Sequence, residues 1–137
     1  MRYFLDTSVI MYAAGAEHAY KKPCVLILEK IERNLIDALT STEVIQEIIY
    51  RFAHIGEKQK GIELSRVIMS FVPLVGVDES AIQSALDLFE RYDVDARDAL
   101  HAAVALQFGT NAILSSDKHF DTIEEIERVD PFAFNND

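Results

Sequence analysis

The sequence predicts a single α/β domain in which helices cover both faces of a parallel β-sheet. Short apolar runs alternate along the chain with longer segments of helical periodicity, and this alternation is typical of parallel strands joined by crossover helices. The length of 137 residues suits one domain spanning residues 1–137, large enough to bury a core without staples. Half of the residues are apolar and 26% are charged, which is ordinary for a soluble globular protein.

Five segments have the character of β-strands. The first is continuously apolar from Tyr3 to Leu5, which is typical of a strand buried on both faces of a sheet. In an open parallel sheet the strand ends meet along one edge, where ligands bind. The predicted strands are Arg2–Leu5, Ile36–Leu39, Leu74–Val77, Ala112–Ser115 and a weaker candidate at Glu127–Val129.

Helical patterns fill the segments between these strands. Pro23 suits the first turn of its helix, and Gly56 and Gly109 suit helix ends. One helix, at residues 96–108, is apolar nearly all round, so we expect it to be central and buried. The predicted helices are Val9–Ala14, Pro23–Asn34, Thr42–Ile55, Lys58–Phe71, Glu79–Tyr92, Ala96–Phe108 and a short one near Thr122–Glu125.

Two helix starts carry capping signals. Asp95 is a suitable N-cap for the helix at residues 96–108, which would put Asp98 at the third helical position. The run from Thr40 to Glu43 has the spacing of a capping box, in which Glu43 would reach back to the turn. Acids in a first helical turn are also favoured by the helix dipole, so each acid has to be weighed separately.

The cysteine content and the amino terminus exclude several classes of protein. The single cysteine, Cys24, lies in an apolar run and is expected to be a buried hydrophobe with no disulfide or zinc partner. Asp6, Thr7 and Ser8 interrupt the apolar segment near the start, which rejects a secretory signal. No apolar stretch approaches the roughly 18 residues of a membrane helix. We therefore expect a cytoplasmic protein.

The charge balance bears on nucleic-acid binding. A formal net charge of −10 argues against binding through a broad basic surface. It does not exclude a nuclease, because part of the negative charge would lie in a metal site. The basic residues that remain available for phosphate contacts are Lys58, Lys60, Arg66, Arg91, Arg97 and Lys118.

Four acidic residues stand where folding alone does not readily explain an acid. Two of them follow predicted strands, one opens the most apolar helix, and one interrupts an isoleucine-rich helix. Acids that meet at one sheet edge repel one another unless a divalent cation lies between them. These positions predict a magnesium-type metal site whose candidate ligands are Asp6, Glu47, Asp98 and Asp117.

Each of these acids also has a purely structural interpretation. Asp6 and Asp117 could cap the helices that follow them, and Asp98 could complement a helix dipole. Glu47 could be a solvated residue at the edge of an apolar stripe. Glu43, one turn earlier, lies further toward solvent and is the weaker ligand candidate.

The histidines are weaker candidates for the site. His101, one turn after the acid that opens its helix, is expected to be a satisfied core or edge histidine. The other histidines, His18, His54 and His119, lack metal-ligand spacing with one another.

Mg²⁺ and Mn²⁺ are the cations that suit such a site, since both are hard cations that prefer carboxylate oxygens and water. Two carboxylates about 4 Å apart repel by about 4 kcal/mol at an effective dielectric near 20. The acids are therefore expected to take up protons or to bind an ion. We expect Asp6 and Asp98 to hold the principal ion, with Glu47 and Asp117 completing the shell, positioning a water or recruiting a second ion.

Four segments, taken in order along the chain, resemble the PIN domain family over nearly the whole chain. They are Phe4–Ile10, Val44–Ile48, Asp98–Ala105 and Ile113–Asp121. The closing Val129–Pro131 also resembles the tail of the VapC toxin branch.

This resemblance implies a three-layer sandwich with a five-stranded parallel sheet in the strand order 3-2-1-4-5. It implies a metal-dependent ribonuclease in which Ser8 or Ser115 supports the family's acidic quartet. It also implies a homodimer and an antitoxin protein that lays a peptide across the active-site groove. The residues that match the family's acidic quartet are Asp6, Glu47, Asp98 and Asp117.

Two other functions are alternatives to a ribonuclease. A phosphatase would use Asp6 as its nucleophile, but such enzymes resemble haloacid dehalogenases and need a second Asp two residues later, where this chain has Ser8. A catalytically silent binding module would dimerise or dock a partner without using the acids.

Overall fold

The computed structural model describes residues 1–134 and contains one sheet of five parallel strands in the order β3-β2-β1-β4-β5. This confirms the predicted α/β class and strand order. The central strand β1 lies between β2 and β4, so its carboxyl end opens into the middle of the sheet edge. The strands are β1 (Arg2–Leu5), β2 (Asp37–Ser41), β3 (Leu74–Val75), β4 (Ala112–Leu114) and β5 (Glu127–Val129).

Helices occupy both faces of this sheet. The chain runs from β1 outward to β3 and then returns past β1 to β4, and right-handed crossovers place α1–α4 on one face and α5 and α6 on the other. Consistent with this, α1 packs on α2 and α3, α3 packs on α4, and α5 packs on α6. The helices are α1 (Thr7–Ala14), α2 (Lys21–Glu32), α3 (Thr42–His54), α4 (Lys58–Phe71), α5 (Glu79–Arg91), α6 (Ala96–Gln107) and α7 (Pro131–Phe134).

The hydrophobic core includes the first strand and the apolar helix that the sequence predicted to be buried. Phe4 and Leu5 of β1 are fully buried, and α6 presses against the sheet through buried alanines such as Ala99 and Ala102. Cys24 is also fully buried, and this burial raises the pKa of its thiol to about 12. Among residues 1–134, no helix is long and apolar enough to cross a membrane.

The predicted short helix near Thr122–Glu125 is wrong. A 3-10 helix lies earlier, at Lys118–Thr122, because the Asp117 carboxylate accepts a hydrogen bond from the backbone N–H of His119 (2.9 Å) and caps it there. The final helix, α7, was not predicted. It begins at Pro131, after Asp130, whose carboxylate accepts a hydrogen bond from the Phe132 N–H (2.9 Å).

The predicted capping box at the start of α3 is also wrong. Ser41, one residue later than expected, is the N-cap, and its hydroxyl accepts a hydrogen bond from the Val44 N–H (3.2 Å). Thr40 is buried within β2 and donates to the Leu5 carbonyl instead (2.8 Å). Glu43 therefore does not act in a capping box, and its carboxylate lies 3.7 Å from the Arg97 guanidinium.

The packing of α4 on α3 leaves no room for a side chain at Gly61. A Cβ there would lie 2.8 Å from the Cβ of Phe52, which is itself buried. We expect Gly61→Ala to lower the free energy of unfolding, since overpacking costs about 1–3 kcal/mol and exceeds the helix-propensity gain of about 1 kcal/mol. Urea unfolding measures the difference. The matched control is Gly76→Ala, where a Cβ meets nothing within 4 Å; equal stability of the two variants would contradict the packing argument.

Candidate metal centre

A small cleft of about 140 Å³ opens at the carboxyl edge of the sheet, and all four predicted acids line it. Asp6 directly follows β1, Asp117 follows β4, and Asp98 lies in the first turn of α6. Glu47 reaches the cleft from the middle of α3. The structure therefore brings together the candidates that the sequence singled out, while their role as ligands stays a prediction. The lining residues are Asp6, Thr7, Ser8, Glu47, Arg51, Asp95, Arg97, Asp98 and Asp117.

Asp6 both caps a helix and faces the cleft. Its Oδ2 accepts hydrogen bonds from the Ser8 N–H (3.3 Å) and from the Ser115 hydroxyl (2.7 Å). The same Ser115 hydroxyl accepts from the Asp117 N–H (2.9 Å). One buried hydroxyl thereby fixes the relative positions of the carboxylate after β1 and the chain that follows β4.

Glu47 is buried and held by donors on both of its oxygens. Thr7 donates its hydroxyl to Oε1 (2.9 Å), and His101 Nε2 lies 3.2 Å from the same oxygen. The Arg51 guanidinium lies 2.7 Å from Oε2. Burial alone would raise the pKa of Glu47, but the hydrogen bonds from His101 and Thr7, with the charges of His101 and Arg51, lower it to about 2.

Asp98 is in the opposite situation. It is 7% exposed, and its Oδ2 has no hydrogen-bond partner within residues 1–134. Its backbone N–H donates to Asp95 (2.7 Å), which confirms Asp95 as the N-cap. Burial, together with the negative charges of Asp117, Asp95 and Asp6, raises the pKa of Asp98 to about 7.

Asp117, Asp98 and His119 form a group that could hold a metal ion. One ligand atom from each residue lies within 4.8 Å of the others. The buried, unpartnered oxygen of Asp98 is the kind of atom that a cation satisfies. The residues present therefore fit a divalent cation, and the chemistry of oxygen donors fits a hard one.

His101 departs from the expectation of a satisfied core histidine. It is 1% exposed, and while Nε2 contacts Glu47, its Nδ1 has no partner in the described part of the chain. Burial would lower the pKa of His101, yet the hydrogen bond with Glu47 and the charges of Asp6, Glu47 and Asp98 raise it. The imidazole is thus held close to several carboxylates behind Glu47.

Two residues in or beside the cleft were missed from the sequence. Arg51 lies one helical turn after Glu47, a spacing that allows an ion pair and could have indicated its role. His119 follows Asp117 by two residues, and its contact depends on a 3-10 helix that the sequence did not predict. Both residues also line a groove that adjoins the cleft and contains Tyr12 and Lys118.

The predicted phosphate-contacting residues are not all near the cleft. Arg97 lines it, and Lys118 lies in the adjoining groove. Arg91 instead pairs with Glu125 (2.6 Å). The Lys60 ammonium lies over the ring of Phe52, 5.6 Å from its centre.

The family model for the PIN domain matches residues 3–126 of this chain. The chain belongs to the PIN domain family. Among curated proteins, ribonuclease VapC7 of Mycobacterium tuberculosis is 35% identical over 135 residues, an alignment that covers 94% of this chain and 91% of the relative. The resemblance predicted from the sequence is confirmed.

Solved structures share the fold of this PIN domain. The crystal structure of VapBC2 from Rickettsia felis, bound to a DNA fragment from their promoter, superposes with a TM-score of 0.75 at 16% identity, covering 95% of this chain and 98% of that chain. A toxin–antitoxin complex from Klebsiella pneumoniae superposes with a TM-score of 0.69 at 14% identity, covering 94% and 97%. At these identities the likeness establishes the fold alone.

We expect Asp98→Asn to stabilise the metal-free protein, and to do so increasingly as the pH rises. The folded-state pKa of about 7 lies above the ordinary value of 3.8, so ionisation disfavours the fold between about pH 4 and 7. At pH 8 the gain should be on the order of 2–4 kcal/mol, and it should fade toward pH 4.5. Thermal unfolding in EDTA measures it. Asp93→Asn, on the exposed loop before α6, is the control; a gain independent of pH would contradict the argument.

We expect Glu47→Gln to show the reverse dependence. The pKa of Glu47 is lowered from 4.5 to about 2, so its ionised form contributes stability above about pH 4.5 that is lost as the pH falls toward 2. The substitution should cost about 3 kcal/mol at pH 7 and much less near pH 3. The neighbouring Glu43→Gln, one turn earlier on the same helix, is the matched control. Equal losses for both variants at pH 7 would contradict a special role for Glu47.

Proposed function

We propose that this PIN domain, spanning residues 1–137, is a metal-dependent endoribonuclease that hydrolyses RNA phosphodiester bonds as the toxin of a toxin–antitoxin pair. The observation that carries this proposal is the cleft itself. Four acids from four separate elements converge there, and one of them, Asp98, is buried with an oxygen that has no partner in the described part of the chain. A curated relative, of which 91% aligns with this chain, is named a ribonuclease. This name supports RNA hydrolysis as the reaction.

The acids of the cleft would hold a divalent cation, Mg²⁺ or Mn²⁺. We assign Asp98 and Asp117 to direct binding, with Asp6 beside them, because the Oδ2 of Asp98 has no other partner among residues 1–134. When bound, such a cation neutralises charge on a phosphodiester and lowers the pKa of a water. Proton competition for Asp98 should weaken binding below about pH 7.

Glu47 completes the proposed catalytic set in a different way. Its oxygens already accept hydrogen bonds or an ion pair from Thr7, His101 and Arg51. It therefore orients these side chains, of which Thr7 and Arg51 line the cleft, and remains ionised. From this position its carboxylate holds the Arg51 guanidinium beside the space where a phosphate would lie.

The basic side chains at the cleft offer a path for the RNA backbone. Arg51 lines both the cleft and the adjoining groove, and Lys118 lies further along that groove. Guanidinium and ammonium groups bind phosphates through charge-assisted hydrogen bonds. A net charge of −10 makes this local cluster, rather than the whole surface, the site of RNA contact.

The remaining parts of the proposal concern partners and location. We propose a homodimer restrained by a cognate antitoxin protein, as the fold shared with a toxin–antitoxin complex suggests. We also propose that it works in the cytoplasm, where its RNA substrate is found. A neighbouring gene for a small DNA-binding protein with an extended tail would support the pairing.

We expect Asp6→Asn to reduce RNA cleavage by about 100-fold or more, since it removes a charge from the cation-binding cleft. Gel assays of a labelled RNA with Mg²⁺ or Mn²⁺ measure the rate, and EDTA should abolish it. Asp93→Asn should cleave at the wild-type rate. If the wild-type protein neither cleaved RNA nor released heat on titration with Mn²⁺, a silent binding module would be the better description.

A further inference from the structure

His119 is placed against the proposed cation site by its own backbone. Its N–H donates to Asp117 Oδ1 (2.9 Å), and its ring Nδ1 lies 3.0 Å from that same oxygen. The 3-10 helix capped by Asp117 fixes this arrangement. Although the side chain of His119 is 75% exposed, its imidazole is folded back onto the carboxylate at the mouth of the cleft.

The spacing of these atoms suits ligands of a single ion. In octahedral coordination with bonds of 2.0–2.1 Å, neighbouring ligand atoms lie about 2.9 Å apart and opposite ones about 4.1 Å apart. The separation of 3.0 Å between Asp117 Oδ1 and His119 Nδ1 matches the neighbouring case. The spread of 4.8 Å for the group with Asp98 is slightly wider than the opposite case, and small side-chain rotations close it.

A second observation points to a ligand at the same place. Asp98 lines the cleft, and its Oδ2 is buried and has no hydrogen-bond partner within the described chain. Burial without a partner is costly for a carboxylate, and a cation bound to this oxygen would offset that cost. Glu47, by contrast, has donors on both oxygens and offers no such atom.

We propose that His119 is a metal ligand together with Asp98 and Asp117, and that its nitrogen biases the site toward Mn²⁺ over Mg²⁺. This rests on the proposed function, since it concerns the same cation site. Imidazole nitrogen is a good ligand for first-row transition metals, whereas Mg²⁺ prefers oxygen and keeps its waters. The histidine thereby adds metal selectivity to a site whose other ligands are carboxylates.

Metal binding to the full chain tests this inference without any RNA. Calorimetric titration with MnCl₂ and with MgCl₂ is compared for the wild type, His119→Ala and the control His54→Ala, which alters an exposed histidine at the end of α3. His119→Ala should weaken Mn²⁺ binding about tenfold or more and change Mg²⁺ binding by less than about twofold. His54→Ala should change neither.

Pulsed electron paramagnetic resonance of the Mn²⁺-loaded protein adds a direct signature. The wild type and His54→Ala should show coupling to an imidazole ¹⁴N nucleus, and His119→Ala should lose it. Equal weakening of both ions, or ¹⁴N coupling that survives in His119→Ala, overturns the inference. If the wild type binds Mn²⁺ and cleaves RNA but shows no ¹⁴N coupling, only the role of His119 fails. If the wild type binds neither ion, the proposed function fails with it.

Discussion

Repulsion among carboxylates in a confined space is the constraint on which the arrangement of the cleft depends. Asp98 is buried beside Asp6, Asp95 and Asp117, and each of these charges opposes its ionisation. The sheet imposes this crowding, because the ends of β1 and β4 are hydrogen-bonded neighbours and deliver two acids to the same edge. The fold therefore stores unfavourable electrostatic energy at one place, which a cation can relieve.

Two of the buried acids in the cleft, Glu47 and Asp98, meet this repulsion in different ways. The carboxylate of Glu47 is stabilised by the charge of Arg51 and by hydrogen bonds from Thr7 and His101, so it is ionised at any physiological pH. Within residues 1–134, no donor reaches the buried Oδ2 of Asp98. Two carboxylates in one small site thus have pKa values pushed in opposite directions, a pattern that commonly separates a positioning group from a reacting or binding one.

Most of the fold and much of the site could be predicted from the sequence, because they depend on local signals. The apolar run ending in Asp6 and the apolar helix opening at Asp98 identified both the sheet edge and two of its acids. The strand order came from the family resemblance, since hydrophobic periodicity carries no information on which strands are neighbours. His119 and Arg51 were missed because their roles depend on helix geometry and through-space contacts. The capping box failed by one residue, as Thr40 was drawn into β2 by its bond to the Leu5 carbonyl.

The burial of Cys24 has a practical consequence for studying this protein in solution. The only thiol in the sequence belongs to Cys24 on α2, which is fully buried and has a pKa of about 12, so it is almost never a thiolate and reagents reach it only when the surrounding structure opens. A fluorophore or spin label could therefore be attached to a cysteine introduced on the surface without first removing the natural one. The rate at which Cys24 itself is labelled would then report how often the interior opens.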